Sequence, residues 1–70
     1  METKDKTLNL TDREKEIIVS IAGGFNDNET GEKLGIKPTS LRQMVKAILD
    51  KTQSNNRAQL IFWATQNNII

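Results

Sequence analysis

FNDNETGEKLGIKPTSLRQMVKAILDKT, residues 25–52, reads as two helices joined by a short turn, the second with a divided surface. From Pro38 onward, Leu41, Val45, Ile48 and Leu49 recur at the i, i+4, i+7 and i+8 spacing of one helical face, with Met44 at its margin. That face belongs in a core. The opposite face collects Thr39, Arg42, Gln43 and Lys46. A helix fixed on its aliphatic side thus offers two cations and an amide on the other, and such a helix can read base edges. Spanning about Pro38 to Lys51, it is roughly 20 Å long at 1.5 Å per residue, enough to cross a groove about 12 Å wide.

The turn before it, Leu34-Gly35-Ile36-Lys37-Pro38, places a glycine where a first helix must end, then an apolar plug, then a proline. Gly35 supplies the positive φ of a helix C′ position, and Pro38 at the first helical position gives up a donor that would be unpaired anyway. Two helices with this punctuation make the corner of a helix-turn-helix, whose second helix enters the major groove. A helical hairpin that binds nothing can carry the same turn.

Outward from the corner, Thr11-Asp12-Arg13-Glu14 is a capping box that starts a helix over about 12–22, with Ile17, Ile18 and Ile21 as its buried stripe. Gly23-Gly24 stops it, and Phe25 is expected to re-enter the core. Asn26 or Asp27 caps a short helix over 27–34. Its Thr30 and Gly31 are small, and the expectation is that they let the recognition helix approach closely. Ser54, Asn55 or Asn56 caps a last helix over about 56–67. That helix is apolar on two sides, Ala58, Ile61 and Phe62 on one and Leu60, Trp63 and Ala64 on the other. One of the two sides must look outward. Leu60, Trp63 and Ala64, with Asn67, are taken as that side and as a dimer contact, which would present two recognition helices to a two-fold site. Residues 1–9 are polar, carry mixed charge and have no periodicity, and are read as a flexible arm ahead of a domain spanning 10–70.

Composition narrows the function. Seventy residues with 36% hydrophobic content allow one thin core. The absence of Cys and His removes thiol nucleophiles, histidine bases and the usual zinc ligands. The carboxylates are scattered over helix surfaces, so no enzyme, metal site, cofactor or small-molecule ligand is expected. Net charge is only +1, but Lys33, Lys37, Arg42, Lys46 and Lys51 fall together around the corner. No stretch approaches the roughly 18 apolar residues of a membrane span, and the first residues lack a secretory leader, so a cytoplasmic location is expected.

Leu10-Thr11-Asp12-Arg13-Glu14-Lys15-Glu16-Ile17-Ile18, then Ile21-Ala22, Gly24, Glu29, Leu34-Gly35-Ile36, Ile48, Lys51 and Arg57-Ala58-Gln59 together resemble the LuxR-type (FixJ/NarL-like, GerE-like) helix-turn-helix domain from about Leu10 to Ala64. The resemblance implies an all-α, four-helix domain with the third helix in the major groove, dimerisation through the fourth, and bacterial or phage transcription regulation on double-stranded DNA. Carried over by position, it places base contacts at Arg42, Gln43 and Lys46. It places phosphate contacts at Asn28, Lys37, Thr39, Ser40 and Lys51, with Asp27 also at a phosphate-facing position. The chain departs from the pattern at six points. Lys37 replaces a serine cap, Thr30-Gly31 an Ile-Ala pair, Met44 a histidine, Thr52 a leucine, Ser54 a valine and Asp27 an asparagine. Most members carry a sensing domain as well, so the expectation is either an excised fragment or a free-standing regulator, and an initiating Met1 followed by a short polar arm favours the second. The alternative is an interaction module that keeps the fold and inhibits a related regulator by forming a heterodimer with it.

Overall fold

In the computed structural model, which describes residues 10–70, four helices follow one another: α1 (Asp12–Ala22), α2 (Asp27–Leu34), α3 (Pro38–Thr52) and α4 (Arg57–Gln66). The arm expected over residues 1–9 lies outside the described residues. Each helix begins where local chemistry dictates. The Thr11 hydroxyl accepts from the Glu14 amide at 3.1 Å while the Glu14 carboxylate accepts from the Thr11 amide at 2.9 Å. Asn26 and Glu29 make a second reciprocal box at α2, and Asn56 caps α4 through the Gln59 amide. The start of α3 has Pro38 at its first turn and no side-chain cap from Lys37. Gly35 ends α2 in the left-handed region at φ 72°, which only a residue without a Cβ adopts cheaply.

Helix α1 packs against each of the other three helices, and α3 packs against α2 and α4. Ile17, Ile18, Leu41, Val45, Ile48, Leu60 and Ala64 form the buried centre, edged by Leu10, Ile21, Leu34, Ile36, Met44, Leu49, Trp63 and Ile69. The aliphatic side of α3 is therefore the core side, and its polar side is set free by the same rotation.

Three expectations are corrected. Leu60 and Ala64 are fully buried within the chain itself, so they are not on an outward face. Trp63 and Asn67 are half-buried, and the side chain that looks outward is Phe62, 67% exposed. With apolar residues on opposite sides of α4, periodicity gives no direction, and only docking against α1 and α3 decides it. Phe25 does not re-enter the core either. It is 41% exposed, and the Lys33 ammonium stands 4.3 Å from its ring centroid. Gly31 is needed for close approach, chiefly to the turn: the Leu41 side chain of α3 lies at an ordinary contact distance of 4.0 Å from where a Cβ would stand. A Cβ there would stand 2.5 Å from the Ile36 carbonyl oxygen, while the Ile36 amide donates to the Gly31 carbonyl at 2.8 Å.

The polar residues at core positions are paired with one another. Ser20 and Thr30 share a buried hydroxyl–hydroxyl bond of 2.8 Å. Thr52, buried at the end of α3, donates to the Ile48 carbonyl and meets the Ser54 hydroxyl at 2.8 Å. Among the described residues, no buried side-chain nitrogen or oxygen lacks a partner.

Candidate nucleic-acid interface

The outward side of α3 holds Thr39, Ser40, Arg42, Gln43 and Lys46, all exposed. Arg42, Gln43 and Lys46 make no hydrogen bond or ion pair to a described residue, so their donors and acceptors face solvent. They lie within 5 positions of one another on a helix clamped by Leu41, Val45 and Ile48. A rigid rod with a flexible polar fringe suits groove readout, since backbone position is fixed while long side chains adapt to base edges. Asn28 and Lys37, also exposed, flank this fringe from the start of α2 and from the turn.

Lys51 stands differently. Its ammonium donates to both oxygens of Glu14 at 2.9 Å, and Glu14 is itself buried and hydrogen-bonded to the Thr11 amide. The capping box of α1 and the last turn of α3 are thus joined through one carboxylate, and Lys51 is first a structural cation. A second tie comes from Arg13, whose guanidinium donates to the Leu34 carbonyl at the end of α2 and meets the negative end of that helix.

At the other flank Arg57 grips Asp27 in a two-pronged pair, NH1 to Oδ1 at 2.7 Å and NH2 to Oδ2 at 3.1 Å. Asp27, Arg57 and Arg42 line one shallow cleft together with Asn26 and Asn28. The hydrogen bonds from Arg57 hold the Asp27 carboxyl below the ordinary aspartate range against partial burial, and the charges of Arg57 and Arg42 add to this. Sequence reading placed an acid near the expected phosphate path but did not find its partner. A separation of 30 positions in sequence leaves no periodic signal.

The sequence model described as "Bacterial regulatory proteins, luxR family" matches residues 8–64. The chain belongs to the luxR family of bacterial regulatory proteins. Among relatives of this family, the Transcriptional regulatory protein DesR of Bacillus subtilis (strain 168) is 40% identical over 52 residues, which are 74% of this chain and 26% of DesR. The Response regulator protein VraR of Staphylococcus aureus is 34% identical over 61 residues, 87% of this chain and 29% of VraR. The chain spans under a third of the length of either relative. No solved structure matches it significantly. The four helices with α2 and α3 at the corner are the luxR-type helix-turn-helix, a DNA-binding, transcription-regulating domain. Among the described residues no helix is long and apolar enough to cross a membrane.

Proposed function

We propose that this luxR-type domain binds a specific DNA site as a dimer, with α3 in the major groove. The observation that carries the reading is the free polar side of α3 on a helix whose other side is locked in the core. Arg42 bonds guanine O6 and N7 in a fork, Gln43 pairs with adenine N6 and N7, and Lys46 reaches a guanine or a phosphate. Asn28, Lys37, Thr39 and Ser40 contact phosphates, and Lys51, whose ammonium is held by Glu14, adds its charge at the end of α3. A cytoplasmic location suits such a partner.

Dimerisation is assigned to the outward side of α4, centred on Phe62 with Trp63 and Asn67 at its margin. A phenylalanine 67% exposed on so small a surface is a site for an apolar partner. The same side chain favours a second reading, in which α4 pairs with the corresponding helix of a related regulator and holds it off DNA. Sedimentation of the chain alone and mixed with such a regulator separates the two.

The deciding experiment selects preferred duplexes from a random pool and follows binding by gel shift. Arg42→Ala combined with Lys46→Ala is expected to abolish selection while leaving the helical circular dichroism unchanged. Wild-type selectivity in that double variant would overturn the reading.

A further inference from the structure

The Arg57–Asp27 pair sits where α2 and α4 come near each other, and these two helices share no backbone packing among the described residues. The pair is not set in the core. The side chains of Arg57 and Asp27 are 41% and 27% exposed, and neither belongs to the apolar centre. Arg42, a proposed base reader, lines the same cleft, so one carboxylate lies in a cleft with two guanidinium groups at the flank of α3. Carboxylate and phosphate both offer two oxygens to the planar fork of an arginine, so whatever occupies that fork excludes the other.

We propose that Asp27 is an internal competitor for phosphate: in the free chain its carboxylate fills the NH1–NH2 fork of Arg57, and a phosphate group gains that fork only by displacing it. The assignment rests on the DNA-binding reading insofar as the phosphate is that of a duplex. Exchanging carboxylate for phosphate replaces one charge-assisted pair by another and leaves an unpaired acid near the DNA, so Arg57 adds little to affinity while Asp27 is present. The cleft is thereby held at lower positive charge than its two arginines would give it, which limits adhesion to DNA of any sequence.

The test uses the full chain as wild type, Asp27→Asn, Arg57→Gln and the double variant, with a fluorescent duplex of about 25 base pairs titrated between 50 and 300 mM salt. Asp27→Asn frees Arg57 for one more phosphate. Its log–log salt slope is expected to steepen by about 0.9, with affinity at 50 mM salt raised about tenfold. Arg57→Gln is expected to bind more weakly than wild type because it leaves the Asp27 charge uncompensated beside the duplex, and the double variant to return to the wild-type slope. A gain that survives in the double variant would mean that removing an acid, not releasing Arg57, is what helps, and would overturn the proposal, as would an unchanged slope in Asp27→Asn.

A second readout needs no DNA. The Arg57 Nη–H resonance in NMR, from the donors that Asp27 engages, is followed during titration with inorganic phosphate. It is expected to move in Asp27→Asn at concentrations that leave wild type unmoved. If it does so while no variant binds duplex, the DNA-binding reading fails and the competitor role of Asp27 stands. Equal response in both proteins overturns the competitor role, and thermal melts of each variant confirm that folded protein is being compared.

Discussion

Replacing the buried hydroxyl pair of Ser20 and Thr30 one member at a time, and then together, isolates what holds the corner of this domain against its first helix. The two side chains are 3% and 1% exposed and stand 2.8 Å apart, so water reaches neither. Thr30→Val keeps the shape of the side chain and deletes its hydroxyl. It removes a hydrogen bond worth about 1 kcal/mol net and leaves the Ser20 hydroxyl in an apolar site at a further cost of about 1 kcal/mol, the low end of the range because that hydroxyl can turn to a carbonyl of its own helix. Ser20→Ala strands Thr30 in the same way. Each single change is therefore expected to cost about 2 kcal/mol, which for a domain of this size lowers the melting temperature by roughly 8–16 °C. The double variant strands nothing and is expected within about 1 kcal/mol of wild type, a coupling of about 3 kcal/mol across the pair. Thermal and urea melts followed by circular dichroism measure all four corners of the cycle. If the loss in the double variant equals the sum of the singles, the hydroxyls are not partners and the account of the polar core is wrong.

Three further outcomes are expected. Gln53 ends α3 in the left-handed region at φ 56°, where a Cβ is strained, so Gln53→Gly is expected to raise stability by about 0.5–1 kcal/mol in the same melts. A lower melting temperature would count against that conformation. Because the folded-state pKa of Asp27 is depressed, its ion pair contributes stability that is present above about pH 4 and is lost as pH falls through the lower folded value. The melting temperature of wild type is thus expected to fall toward that of Asp27→Asn as acid is added below pH 4, and parallel curves would contradict the pairing. Phe62→Ser is expected to leave the melting temperature nearly unchanged, since Phe62 contributes little to the core, while shifting sedimentation toward monomer and weakening duplex binding. An unaltered sedimentation profile would remove Phe62 from the dimer contact.

The sequence by itself determined where the helices begin and end and which side of α3 is buried. Those features are local. Thr11 and Glu14, or Asn26 and Glu29, close their boxes within a single turn, Gly35 and Pro38 act through their own backbone, and Leu41, Val45 and Ile48 share a face by helical geometry alone. The outward placement of Arg42, Gln43 and Lys46 followed from that stripe without knowledge of any other helix.

Tertiary structure alone decided the rest. The direction of α4 was illegible because it carries apolar residues on opposite sides, and packing against α1 and α3 buried Leu60 and Ala64 and left Phe62 outside. The partner of Gly31 turned out to be the Ile36 carbonyl, which the path of the turn brings over it. Thr30 departs from the family's isoleucine, and it is Ser20, ten residues away on another helix, that supplies its buried hydrogen bond. Glu14 with Lys51, and Asp27 with Arg57, are joined across 37 and 30 positions of sequence. Neither pairing has a period or a spacing to reveal it, because such contacts are set by how rigid helices dock and not by the rise of any one of them.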